Sequence, residues 1–341
     1  MSERPVALVT GEVSPYRREP FRLLCEAEGA EVLAWADGDP TQLGAARRVA
    51  SGRYRAVVCG LGGRVAVPAT YAAARRARVP FVLWTSLWAH PRTPAHSLSY
   101  LPLRRLYRRA DAVVTYGPHV SRYVERSRGA RGRVFVAPQA AAAELRTAAE
   151  PAEARAWRER LGLDQGDFLA LFVGRLVREK GIEVALEAWR ESALNGVLAL
   201  AGEGRARAAE RVRPLGRLGA AELRGLYAAA DVLVLPSIPT ATFLEPWGLV
   251  VNEAMHQGTT PITSDAVGAA AGGLVQDGRN GLVVPAGDAG ALAAALRGLV
   301  TDRDLRDRLG VAARQDVASY TPEAWLGGVQ AALRAVGAGR G

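Results

Sequence analysis

Residues 233–265 read L-V-L-P-S-I-P-T-A-T-F-L-E-P-W-G-L-V-V-N-E-A-M-H-Q-G-T-T-P-I-T-S-D, and this stretch decides the fold. The apolar run Val232 to Leu235, stopped by Pro236, has the length and composition of a buried parallel strand. Pro246 biases Glu245 towards an extended backbone, so a helix should not begin before it. Gly248 serves as N-cap, and Leu249 to His256 reads as helix despite its two valines. Gly258 closes that helix, and Thr260 to Thr263 opens the next strand. Strand, loop, helix, strand in this order is the repeating unit of a parallel α/β sheet.

Two carboxylates flank the helix start. Glu245 stands in the loop before it, and Glu253 stands about one turn inside. Leu249, Val250, Val251, Ala254 and Met255 make the helix apolar nearly all round, which predicts burial. A buried glutamate is costly unless something pairs with it. The amides at Gly248, Leu249 and Val250 form a natural anion site. One reading is a diphosphate on those amides with sugar hydroxyls on the carboxylates, which are pure acceptors. The plainer reading is one exposed and one structural glutamate in an ordinary strand-loop-helix.

The segment E-P-W-G-L-V-V-N-E-A-M, with G-T-T-P-I after it, resembles the E-x7-E signature of family 4 (group 1) glycosyltransferases, which have the GT-B fold. The resemblance implies that Glu245 contacts a donor sugar and Glu253 a nucleotide ribose. Gly174-Arg175 and Lys180-Gly181, in G-R-L-V-R-E-K-G-I, resemble the family's G-R-x-x-x-x-K-G segment. That implies a grip by Arg175 and Lys180 on the leaving diphosphate, where fixed cations stabilise the charge that builds up. Lys180 is the only lysine in a chain with 44 Lys and Arg, so arginine was not used at this one position. Gly202 in A-G-E-G resembles the family's G-x-G turn, and Leu215-Gly216-Arg217 the turn that meets the nucleotide base. Asp277-Gly278-Arg279-Asn280-Gly281 resembles a D-G-x-N-G hairpin turn and reads as structural.

The chain has 341 residues, enough for two domains of ordinary size. Its 49% hydrophobic and 23% charged residues suit a soluble globular protein. No run of about 18 apolar residues suggests a spanning helix, and the first residues lack a signal-peptide pattern. Cys25 and Cys59 are ordinary buried candidates, consistent with a reducing cytoplasm. The four histidines have no metal-ligand spacing, so no metal site and no cofactor are expected. The net charge of +10 is uneven. Residues 1–150 hold 23 Lys and Arg against 12 Asp and Glu, and residues 151–341 hold 21 against 22. Such asymmetry points to an anionic ligand or surface on the first half; an arginine-rich coding bias is the alternative.

Apolar runs at Val6–Thr10, Glu31–Ala34, Ala56–Cys59, Pro80–Thr85, Ala112–Tyr116 and Val134–Ala137 read as strands. Helical segments lie between most of them, among them Pro68–Arg78, Leu103–Ala110 and His119–Arg128, and none is assigned between Glu31–Ala34 and Ala56–Cys59. A second series runs Leu169–Val173, Val197–Ala201, Val212–Leu215, Val232–Leu235, Thr260–Thr263 and Leu282–Val284. The expected fold class is α/β, with two Rossmann-like doubly wound parallel sheets facing a central cleft. The first domain is placed at 1–150, ending in the alanine-rich linker Pro138 to Pro151; the donor domain is 151–320. Residues 321–341 are read as a terminal helix and tail packing back on the first domain.

The first domain fits the family less closely. Where many members have a glycine pair in the first loop, only Gly11 is present, with Arg17 as a substitute cation. Ser86 stands where the family often has a histidine, and His90 lies four residues on as the alternative participant in the reaction. His119 reads as a helix-start residue. In L-R-R-L-Y-R-R-A, Leu103, Leu106, Tyr107 and Ala110 share one helical face, and Arg104, Arg105, Arg108 and Arg109 take the other. That basic face reads either as solvated surface or as contact with anionic lipid or a phosphorylated acceptor.

The resemblance implies a retaining, metal-independent hexosyltransferase. It would use a UDP- or GDP-sugar and a small-molecule, glycan or lipid-linked acceptor, in the cytoplasm or at the inner membrane face. A nucleotide-sugar epimerase or a phosphorylase of the same fold is the alternative, separable by product analysis with donor alone. A basic nucleic-acid-binding protein is a further alternative, but no recognition module or aromatic-basic motif supports it.

Overall fold

The computed structural model describes residues 4–340 except 37, 39, 165 and 206–209. The chain forms two compact units, Met1–Ala142 with Thr321–Gly341, and Ala143–Tyr320. Unit 1 carries 24 Lys and Arg against 11 Asp and Glu; unit 2 carries 20 against 23.

In unit 1 the strands are β1 (Val6–Thr10), β2 (Glu31–Ala34), β3 (Ala56–Gly60), β4 (Phe81–Thr85), β5 (Ala112–Thr115) and β6 (Val134–Val136). They form one parallel sheet in the order β2-β1-β3-β4-β5-β6. The central strands are short runs of Val, Ala, Leu and Phe with both faces covered, as buried parallel strands require. The crossovers are α1 (Pro15–Glu28), α2 (Gln42–Ala50), α3 (Ala66–Ala77), α4 (Pro94–Arg109) and α5 (Pro118–Arg128).

Unit 2 has β7 (Phe168–Val173), β8 (Gly196–Ala201), β9 (Val212–Gly216), β10 (Val232–Leu235), β11 (Thr260–Ser264) and β12 (Leu282–Val284). All pair in parallel, in the order β12-β11-β10-β7-β8-β9. Its helices are α6 (Ala143–Arg146), α7 (Pro151–Arg160), α8 (Ile182–Ser192), α9 (Ala220–Ala229), α10 (Leu249–His256), α11 (Gly268–Ala271), α12 (Ala289–Thr301) and α13 (Arg303–Val317). The chain moves outward from β7 in one direction and then restarts at β10 on its other side. The β7/β10 boundary is therefore the switch point, beyond whose carboxyl ends open α/β sheets bind ligands. The last helix, α14 (Pro322–Ala335), belongs to unit 1. Its Trp325 is fully buried, with ring centroids 5.6 Å from both Phe21 and Trp84.

Some local readings needed correction. The crossover between β2 and β3, given no helix from the sequence, holds α2, capped by the Thr41 hydroxyl accepting from the Gly44 amide. Helix α4 starts at Pro94, nine residues before Leu103, and runs through Pro102. Thr93 caps it by accepting from the His96 amide. The 277–281 segment is not a hairpin, because β12 runs parallel to its neighbour. It is a closed loop in which the Gly278 amide donates to the Gly281 carbonyl at 2.9 Å. Asn280 is fully buried and bonds Gln276, Leu274 and Asp316, so the structural reading of this segment stands.

Candidate active site

Two loops meet at the β7/β10 switch point. One leaves β7 at Gly174 and reaches α8 through Lys180 and Gly181; the other joins β10 to α10. Gly181 makes the meeting possible. Its φ is +75°, and a Cβ there would lie 1.9 Å from the Pro236 carbonyl oxygen. The Ile238 amide donates to the Glu179 carbonyl at 3.1 Å and stitches the loops together. The result is an ion pair between Lys180 Nζ and Glu245 Oε2, with side chains 18% and 6% exposed. Ser237, fully buried, donates its hydroxyl to the same carboxylate oxygen at 3.1 Å. The Ser264 hydroxyl in turn donates to the Ser237 carbonyl. The Phe243 ring lies 5.3 Å from Lys180 Nζ.

Glu245 is fixed from its other side by the segment after β11. The Gly268 amide donates to its carbonyl at 3.1 Å, and the Ala269 amide donates to that of Trp247 at 2.7 Å. Gly248 is the N-cap of α10, as the sequence predicts. Leu249 and Val250 form the first turn, whose amides face away from the helix body. Glu253, in the next turn, is buried and accepts the Tyr227 hydroxyl at 2.7 Å. Burial pushes its carboxyl above the usual glutamate range, and the Tyr227 hydrogen bond only partly offsets this. Neither glutamate is the exposed residue of the plainer reading.

The other donor-side candidates lie around the neighbouring strand ends. The Gly174 amide donates to Ala201, and the Gly202 amide to Gly216, at 2.9 and 2.8 Å. A Cβ at Gly202 would stand 1.8 Å from the Gly174 carbonyl oxygen, so this close crossing needs glycine. Leu215 is half-buried beside it. Arg217 and Arg175 point largely to solvent. Arg217 is 3.6 Å from Glu203, and Arg175 is 3.2 Å from Glu179. The side chains brought into contact are thus Lys180 with Glu245; Arg175 is held by its own carboxylate neighbour.

Unit 1 has its own cavity, of about 260 Å³, at the carboxyl ends of β1, β3 and β4. Gly11, Arg17, Ser86 and Tyr116 all line it. His90 does not. Its Nε2 lies 2.6 Å from the His96 carbonyl oxygen, within the loop that enters α4. His119 is the second residue of α5 and is buried against Trp88, a helix-start position. On α4, Tyr107 is buried, as is its C-cap Ala110, while Arg105, Arg108 and Arg109 are exposed and Arg104 is half-buried. Leu98 and Leu101, 82% and 70% exposed, continue the same outer face. Among the described residues, no group of three His, Cys, Asp or Glu is placed to hold a metal ion, and no helix is long and apolar enough to cross a membrane.

Tyr227 and Ser237 were missed from the sequence. Tyr227 sits among the small apolar residues of α9, where a buried hydroxyl needs a partner, and that mismatch was the available signal. Ser237 had none beyond its place just after a strand.

The family model described as glycosyl transferases group 1 matches residues 153–316. The chain is 36% identical to glycogen synthase of Mycobacterium tuberculosis over 163 residues, 44% of this chain and 38% of that one. It is 30% identical to D-inositol 3-phosphate glycosyltransferase of Nocardia farcinica over 270 residues, 70% of this chain and 58% of that one. The chain thus spans less than two thirds of either relative. Anabaena HepE, solved with UDP and glucose, superposes with a TM-score of 0.76 at 18% identity, covering 97% of this chain and 100% of that one. Sucrose-phosphate synthase of Thermosynechococcus elongatus gives 0.77 at 20%, covering 97% and 98%. At such identities these two structures speak for the fold alone. By the family match residues 153–316 belong to the group 1 glycosyltransferases, and by its two parallel sheets and these neighbours the chain has a GT-B fold.

Proposed function

We propose that the protein is a retaining hexosyltransferase that moves a hexose from a UDP- or GDP-sugar to an acceptor hydroxyl, without a metal ion or other cofactor. The observation that carries this reading is the Lys180–Glu245 pair at the switch point, with Glu253 one turn inside the adjoining helix. A nucleotide-sugar donor also fits HepE, which was solved with UDP-glucose.

In this reading the diphosphate lies on the amides of Gly248, Leu249 and Val250, with Lys180 and Arg175 as its cations. Lys180 would then exchange part of its contact with Glu245 for a phosphate oxygen, freeing carboxylate lone pairs for sugar hydroxyls. Glu253 accepts from the ribose. Gly174, Gly202, Leu215 and Arg217 border the base, and Gly11 offers backbone from the first loop. As the glycosidic C–O bond breaks, negative charge collects on the leaving phosphate, where Lys180 stabilises it. The acceptor oxygen bonds to the anomeric carbon from the same side and passes its proton to the departing phosphate oxygen. We assign His90 no step, because it does not line the cavity at the ends of β1, β3 and β4 and its Nε2 is engaged by the His96 carbonyl.

The outer face of α4 supports a finer reading of location. Arg104, Arg105, Arg108 and Arg109 beside exposed Leu98 and Leu101 suit an anionic bilayer surface, such as the cytoplasmic membrane face.

The test is turnover with UDP- and GDP-hexoses and a panel of alcohol acceptors in EDTA, with the product anomer read by NMR. Transfer with retained configuration is expected. An inverted product, or epimerised donor without acceptor, would contradict the proposal.

A further inference from the structure

Arg17 is a buried cation whose carboxylate is missing. Its residue is only 5% exposed, yet no Asp or Glu pairs with it among the described residues. Its Nη2 donates to the Tyr116 hydroxyl at 2.7 Å and to Gln139 Oε1, both neutral acceptors. The guanidinium carbon lies 4.3 Å from the Trp84 ring centroid, 4.8 Å from that of Tyr16 and 5.2 Å from that of Tyr116. These contacts hold the guanidinium plane in one orientation. They leave Nε and Nη1 without a hydrogen-bond partner among the described residues, and neither nitrogen is sealed from solvent. Arg17 also lines the cavity at the ends of β1, β3 and β4. The other arginine so buried in unit 1, Arg128, spends its donors on the carbonyls of Gly132, Tyr107 and Ala110 instead.

A buried charge with neutral partners alone is costly, and the cost is recovered when an anion arrives. Nε with a terminal nitrogen is the fork that takes two oxygens of one phosphate or carboxylate. Glu12, the one carboxylate in the cavity lining, is exposed and accepts the Ser14 hydroxyl at 3.1 Å, so it lies at the mouth. Unit 1 as a whole is strongly basic, which favours delivery of an anion.

We propose that this cavity is an oxyanion site in which Arg17, oriented by Trp84, Tyr116 and Gln139, binds a phosphate or carboxylate group. The occupant we assign is an anionic group on the acceptor. Only that assignment rests on the glycosyl-transfer reading. The site itself is tested without donor or turnover.

The full chain is titrated calorimetrically with pyrophosphate and acetate, as wild type, Arg17→Gln and Arg17→Lys. Saturable pyrophosphate binding weakened about tenfold or more in Arg17→Gln, and weakened less in Arg17→Lys, is expected. Because Arg17→Gln disturbs a packed site, circular dichroism confirms folding, and Tyr116→Phe provides a second variant that keeps the charge. Tyr116→Phe should keep most of the affinity. Equal pyrophosphate affinity in wild type and folded Arg17→Gln overturns the site. So does binding in Arg17→Gln that is lost only in Tyr116→Phe. A loss of nucleoside diphosphate affinity in Arg17→Lys overturns the acceptor assignment. Unchanged nucleotide affinity with a raised acceptor KM and unchanged kcat assigns the acceptor.

Discussion

Replacing Lys180 by alanine should destabilise unit 2 as well as stop transfer, because the lysine neutralises a buried carboxylate. Glu245 is 6% exposed at its side chain and would lose its cation while keeping the neutral Ser237 hydroxyl at 3.1 Å. Breaking a buried ion pair by removing one partner costs about 3–5 kcal/mol. The 18% exposure of Lys180 puts this pair at the lower end, about 3 kcal/mol. For a domain of this size each kcal/mol shifts the melting temperature by roughly 2–4 °C, so a fall of about 6–12 °C is expected. Glu245→Gln keeps an acceptor for Ser237 and leaves Lys180 partly in water, so its cost should be about 1–2 kcal/mol. The double variant should be more stable than the sum of the two losses, with a coupling of about 2 kcal/mol. Differential scanning fluorimetry and urea unfolding of the four proteins complete the cycle. A Lys180→Ala melting point within 2 °C of wild type, or coupling below about 0.5 kcal/mol, would refute the argument that this pair holds the loops together.

Glu253 predicts a trade of stability against binding. Its folded pKa is raised above the ordinary 4.5 by burial, so stability falls as pH rises from about 4.5 through the raised value. Glu253→Gln should therefore melt higher than wild type at pH 7 without nucleotide, and the gap should close at pH 4; a gap that is independent of pH counts against it. His256 works in the opposite direction. Burial, with Arg146 and Arg314 nearby, lowers its pKa from 6.5 to about 4. Stability should be lost as pH falls from 6.5 towards 4, and His256→Gln should flatten that slope in melts at successive pH values; an unchanged slope excludes His256 as its source.

The sheet was legible because its strands are buried on both faces and so appear as short apolar runs between breakers. Val6–Thr10, Val232–Leu235 and Leu282–Val284 are the clearest cases. Helix α4 was cut short because Pro102 looks like a helix start. Pro102 stands in the interior of the helix, where it removes one backbone hydrogen bond and crowds the preceding turn, yet the helix runs through it, and Thr93-Pro94 carries the real capping signal. The strand-turn logic of Asn-Gly suggested a hairpin at 277–281, and only the sheet order shows that no antiparallel partner exists. At the site, the glutamates and Lys180 were singled out by motifs that resemble the family's. That Lys180 lies against Glu245, and Tyr227 against Glu253, depends on contacts across 65 and 26 positions. No local pattern encodes such pairings. Arg17 was readable as a cation, but its lack of a counter-charge is visible only once its neighbours are known.

The central claim is that the β10–α10 segment divides its work, with Glu253 serving the nucleotide and Glu245 the sugar. Calorimetric titration of nucleoside diphosphate alone into wild type, Glu245→Gln and Glu253→Gln tests it most directly. The account predicts clear loss of affinity in Glu253→Gln and near-wild-type affinity in Glu245→Gln, which should fail only with the complete sugar nucleotide. Equal losses in both variants, or full affinity in Glu253→Gln, would contradict it.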